Sequence, residues 1–289
     1  MNLGIPALST TVTVGQVAGT LDVAHNLAEI EQVVESASAA GSSLVVFPEA
    51  VMFQFTEPAE RIAAAAQQHS AKFEAALQAY AERYRVAIVA GLYLPSSTAG
   101  RSRNVLSLLR PDGSAPVHYD KLHHYDAFNF MESEKHDRVP LKPDYEELVV
   151  FDCNGIKFGL LNCYDLRFPE MSRLLVEKGA DVLIVASGWV AGPLKALQWE
   201  TLARARAIEN TCYVVACCQP APHSVGMSMI VDPMGAVIAG VHENAGSASA
   251  QLSMERQAYV RTILPCVSQR RYMLIDTNAE QCEVRNGVR

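Results

Sequence analysis

Residues 149–171 read VVFDCNGIKFGLLNCYDLRFPEM. The apolar runs on either side of Asn154-Gly155 predict two antiparallel strands, because both residues of that pair tolerate the positive φ of a tight hairpin turn. The second run, 156–161, is apolar at nearly every position, so both of its faces must be covered. It stops abruptly at Asn162 and Cys163. Pro169 then suits the first turn of a helix, and Gly179 suits its C-cap. A hairpin that feeds straight into a helix mixes antiparallel and βα connections, which excludes a purely parallel sheet.

The same mixture extends outward. TVTVGQV (11–17) reads as a strand, followed by a helix with Asp22 as N-cap and Gly41 beyond its end. SLVVF (43–47) is a buried strand, 67–84 has helical spacing, and VAIVAGLYL (86–94) is a further strand. Two more hairpins turn at Arg110-Pro-Asp-Gly113 and Asp232-Pro-Met-Gly235. Helix 169–178, strand 181–186, helix 195–209 and strand 212–218 fill the space between the last two hairpins. Strands this apolar are best buried in layers of helix, sheet, sheet and helix.

The whole chain narrows the function classes. Its 289 residues can bury a substantial core without staples. With 49% hydrophobic and 19% charged residues it is globular. A net charge of −7, with Lys and Arg scattered, excludes a polyanion binder, so no nucleic-acid partner is expected. No run approaches the ~18 uninterrupted apolar residues of a membrane span, and the first residues lack the basic and apolar regions of a signal peptide. The seven cysteines show no CxxC pair, which argues against zinc and thioredoxin-like readings. Reduced thiols and a cytoplasmic location are the expectation. Neither GxGxxG nor a P-loop occurs, so no nucleotide is expected.

Three chemistry-bearing residues close apolar strands: Glu49 in SLVVFPEAV, Lys121 in VHYDKLHHYD, and Cys163. Sites in layered α/β proteins gather beyond the carboxyl ends of strands. A thiol is a nucleophile once deprotonated; a carboxylate can take its proton, and an ammonium can favour the thiolate and steady an oxyanion. Taken singly, each reads as ordinary: a solvated glutamate, a surface lysine, a core thiol. Spacing alone does not bring the three together.

VVFPEA, YDKLH and LLNCYDLRFPE resemble, in order, the Glu, Lys and Cys motifs of the nitrilase superfamily of carbon–nitrogen hydrolases. The resemblance runs from about Thr11 to Leu274. It includes Gln16, Asn26, MESE (131–134), QWETLARARAIENTCYVV (198–215) and GMSMIVDPMG (226–235). It implies a four-layer α-β-β-α sandwich with mixed sheets. It also implies a single domain over 11–275, flanked by tails at 1–10 and 276–289, and a homodimer or higher homo-oligomer. Carried over residue by residue, Cys163 is the nucleophile, Glu49 the general base, Lys121 the oxyanion stabiliser and Glu132 a supporting carboxylate. The backbone N–H of Tyr164 is a second oxyanion donor. No cofactor or metal is implied. The loop 133–145 departs from the family, lacking a Pro-Gly after the second glutamate, and His124 stands where an apolar residue is common.

Two further residues have two readings each. Trp189 is either core packing or a pocket wall. Arg167 is either in an ion pair with Asp165 or Glu170, or the anchor of a substrate carboxylate. The residues after Cys163 resemble amidase members, nearest to ω-amidases and deaminated-glutathione amidases. A small, carboxylate-bearing amide cleaved through a thioester is therefore the expected substrate. The alternatives are an N-carbamoyl amino acid hydrolase or nitrilase on the same site, or a non-catalytic binding protein on the same fold.

Overall fold

The computed structural model describes residues 8–128 and 130–274. Strand β1 (Ser9–Gln16) leads into helix α1 (Val23–Ala39), β2 (Leu44–Val46), α2 (Ala59–Tyr84), β3 (Ala87–Pro95), β4 (Ser102–Leu109) and β5 (Val117–Asp120). A small hairpin, β6 (Asp126–Ala127) and β7 (Phe130–Met131), follows. Then come β8 (Val150–Cys153), β9 (Ile156–Asn162), α3 (Pro169–Glu177), β10 (Val182–Ser187), α4 (Lys195–Asn210) and β11 (Tyr213–Cys218). The chain continues through β12 (Met229–Val231), β13 (Val237–Gly240), β14 (Gly246–Ser253) and α5 (Met254–Ile263).

Two six-stranded mixed sheets result, ordered β14-β1-β2-β3-β4-β5 and β13-β12-β11-β10-β9-β8. Alternation along the strands sorts side chains between layers. Val12, Val14, Leu44, Val46, Val89 and Leu106 join Leu160, Ile184 and Val215 in the larger apolar core. Their neighbours Val45, Phe47, Ile88, Ala90 and Val105 belong to a second core with Ile30 and Val34 of α1 and Phe73 and Leu77 of α2. Helices α3 and α4 pack on the other sheet through its strands β9 to β12. The architecture is the expected α-β-β-α sandwich. Among the described residues no helix is long and apolar enough to cross a membrane.

All three predicted hairpins form. Some boundaries differ. Strand β1 starts at Ser9, inside the expected tail, because it pairs along its whole length with β14. Helix α2 starts at Ala59, well before residue 67, directly after Pro58. Strand β14, GSASAQLS, and α5 had no counterpart in the sequence reading; small residues give β14 little intrinsic strand preference, and its ladder with β1 supplies what propensity does not. The expected C-terminal tail, 276–289, lies outside the described residues.

The topology decides where the site falls. Strands β2 and β3 are parallel, and β4 is antiparallel to both β3 and β5. Strand β5 therefore runs along β2, and Glu49 and Lys121 leave the sheet at the same end. Strands β9, β10 and β11 are mutually parallel, so Cys163 and Gly188, which follow β9 and β10, leave the second sheet together.

Candidate active site

Glu49, Lys121, Glu132 and Cys163 line one cavity of about 330 Å³, counted with its open mouth. All four are buried. The Lys121 ammonium donates to Glu49 Oε1 at 2.8 Å and to Glu132 Oε1 and Oε2 at 2.8 and 2.7 Å. Burial alone would pull its pKa down, but Glu132 and Glu49 outweigh that and hold it well above the ordinary lysine value. Glu132 also accepts from the Tyr125 backbone N–H at 2.7 Å, whereas Glu134 is exposed. This settles which glutamate of MESE reaches the cavity.

Glu49 is fixed from three directions. Its Oε1 also accepts from Asn104 Nδ2 at 2.8 Å, its Oε2 accepts from the Gly188 backbone N–H at 2.9 Å, and its carbonyl accepts from Gln219 Nε2 at 2.7 Å. Asn104 is a residue of this cavity that sequence reasoning missed. It sits near the start of β4, donates a second bond to Glu132 Oε1 at 3.0 Å, and accepts from Asn162 Nδ2 at 3.2 Å. It ties both carboxylates to the residue before the thiol. Asn104 ends the polar stretch Ser102-Arg103-Asn104 ahead of the apolar run that starts at Val105, so the sequence carried no distinctive signal for it; its carbonyl also accepts from the Lys121 N–H.

Cys163 opens a short 3-10 turn, Cys163–Arg167, with φ of +51°. A non-glycine residue in this region is uncommon and costs of order 1–3 kcal/mol. The turn is held by Asp165, fully buried, whose carboxylate accepts from Asn162 N–H at 2.9 Å, Tyr119 OH at 2.6 Å and His123 N–H at 3.0 Å. Burial pushes the Cys163 thiol's pKa well up, and Glu49 adds to the rise; Lys121 opposes it without prevailing. Lys121 thus favours the thiolate, as expected, but burial and Glu49 outweigh it. The Lys121 charge is engaged by two carboxylates, so the arrangement suits a protonated thiol that yields its proton to Glu49 as it attacks. Cys153, at the β8–β9 hairpin, lies far along the sheet from this cavity, lining a different one. Burial raises its pKa to about 11.

A second lobe of about 210 Å³, counted with its open mouth, adjoins Cys163 and Tyr164 and is walled by Trp189 and Arg167. Trp189 is nearly inaccessible and at the same time forms part of this wall. Arg167 forms no ion pair with Asp165 or Glu170. It donates to Gln198 Oε1 at 2.7 Å and lies 4.6 Å from the Trp189 ring centroid. His124 packs against His136, its pKa lowered by burial. The divergent loop after Glu132 is pinned by Lys135, whose ammonium donates to the Phe55 and Glu57 carbonyls at 3.1 and 2.9 Å, and by the pairing of His136 with Ser102.

Residues 11–261 match the family model described as carbon-nitrogen hydrolase. A protein of Escherichia coli O157:H7 named deaminated glutathione amidase is 34% identical over 261 residues, covering 90% of this chain and 97% of that protein. The crystal structure of the C. elegans NitFhit protein superposes with a TM-score of 0.84 at 29% identity, over 93% of this chain and 67% of that one. Saccharomyces cerevisiae Nit3, a member of branch 10 of the nitrilase superfamily, gives 0.78 at 25% identity, over 91% and 97%.

Proposed function

The chain belongs to the carbon–nitrogen hydrolase family, and on that premise we propose that it is a cysteine-dependent amidase that cleaves a small amide to acid and ammonia. The observation that carries the reading is the buried meeting of Glu49, Lys121, Glu132 and Cys163 in one cavity. Glu49 takes the thiol proton as Sγ attacks the amide carbonyl. Lys121 and the Tyr164 N–H steady the oxyanion. Glu132 and Asn104 hold Lys121 and Glu49 in place. Glu49 then returns its proton to the leaving ammonia, and water, deprotonated by the same carboxylate, hydrolyses the thioester.

The substrate bears a carboxylate, and Arg167 at the second lobe is one anchor for it. The 34% identity to a protein named deaminated glutathione amidase supports this branch. The test is ammonia release from a panel of dicarboxylate monoamides, deaminated glutathione, neutral aliphatic amides, N-carbamoyl amino acids and nitriles. Carboxylate-bearing amides are expected to give the highest kcat/KM. Nitriles or carbamoyl compounds outperforming every amide would overturn the assignment.

The protein acts in the cytoplasm as a homo-oligomer of two or more copies. Helix α3 buries Met171 and Leu175 within its own protomer, whereas Tyr259, Ile263 and Leu264, on and just after α5, are exposed and available for contact with a second copy. Light scattering is expected to give at least twice the 31.4 kDa chain mass; a monomer at micromolar concentration would contradict this.

A further inference from the structure

Lys195 has no role in the chemistry just described, yet its placement is costly. It is the first residue of α4, the helix end where the backbone dipole disfavours a cation. It is buried, and its ammonium faces the second lobe beside Cys163. Nζ donates to Tyr125 OH at 2.8 Å and lies 4.7, 4.6 and 5.6 Å from the ring centroids of Tyr125, Phe128 and Trp189. The Arg167 guanidinium stands on the same Trp189 ring. Among the described residues neither cation has a carboxylate partner.

Burial lowers the Lys195 pKa, and the neighbouring Arg167 lowers it further. Ring faces attract a cation, but by less than burying a charge costs, before the repulsion between two like charges is added. The pair is complementary to an anion. A guanidinium presents a planar fork to a carboxylate, and an ammonium adds a point charge to its side. The lobe shares Tyr125, Cys163 and Val190 with the main cavity, so an anionic group held there belongs to a substrate whose acyl carbon lies at the thiol.

Resting on the amidase reading above, we propose that Lys195 is a specificity-determining residue. With Arg167 it grips the far-end carboxylate of the substrate, and the protein prefers amides with an anionic end over neutral isosteres.

The test compares wild type, Lys195→Met and Lys195→Arg with two substrates, succinamate and its neutral isostere succinamide, read as ammonia release. Calorimetric titration with succinate, the dicarboxylate product, supplies a readout independent of turnover. In Lys195→Met, kcat/KM for succinamate is expected to fall ~10²-fold, mainly through KM, the scale of losing one partner of a buried charge pair. Succinamide should change less than ~3-fold, and succinate binding should weaken with succinamate. Lys195→Arg should restore most of the loss, which also guards against misfolding of the methionine variant. Equal losses on both amides with unchanged succinate binding would overturn the proposal and leave the amidase reading intact. No ammonia from either amide or from any amide of the wider panel, with Lys195-dependent succinate binding, would remove the amidase reading and leave the anion site standing.

Discussion

Cys163→Ser is expected to lose turnover by ~10⁴-fold or more while melting close to wild type. The size follows from what nucleophile removal does in hydrolase sites whose members act as a unit. The substitution is nearly isosteric and keeps the strained turn, since Asp165 holds it through Asn162, Tyr119 and His123 and not through the sulfur. What changes is the acidity of the attacking group. Burial and Glu49 already push the thiol's pKa well up, and a hydroxyl starts far higher, so Glu49 cannot draw its proton at a useful rate. Cys153→Ser is the matched control and should keep full activity, because that thiol faces a different cavity. Substantial ammonia release by the Cys163 variant would remove the residue from the role of nucleophile.

Glu49→Gln is expected to slow the reaction by ~10²–10⁴-fold, the usual range for losing a positioned general base. The carboxylate has three donors aimed at it: Lys121 and Asn104 on one oxygen and the Gly188 N–H on the other. An amide offers one acceptor where two are needed. Its NH₂ group must face either the Gly188 N–H or the Lys121 ammonium, so some stability is lost as well. Thermal melting separates the two effects: a folded variant with wild-type kcat would show that another group moves the proton. A loss that falls in kcat, with KM near wild type, would match removal of proton transfer rather than of substrate binding.

How much of this was legible in the sequence depends on the distance over which each signal acts. The hairpins were legible because Asn154-Gly155 and its counterparts act locally. The apolar runs showed that both sheet faces are covered. Glu49, Lys121 and Cys163 were recognisable as polar ends of apolar strands, and their motifs as those of a family. Their meeting was not legible, since it needs the strand order that turns β4 against β3 and β5 and lays the second sheet over the first. Asn104 and Lys195 escaped for the same reason. One looked like a polar residue ahead of the strand VLSLL and the other like the start of a helix. For Lys195 the sign was weak but physical: a lysine at the helix end that disfavours it. Strand β14 was hidden by its small residues. The thiol's raised pKa was not legible either, because the sequence does not show how deeply Cys163 is buried or that Glu49 stands beside it.

The central claim is that the amide's acyl group passes through Cys163. Mass spectrometry of the protein quenched in acid within milliseconds of mixing with saturating amide, followed by peptide mapping, tests it most directly. The account predicts an added acyl mass confined to the peptide carrying Cys163, absent in Cys163→Ser and lost as substrate is exhausted. Ammonia release with the acyl mass on any other residue, or with no acyl mass in a variant whose water step has been slowed, would contradict it.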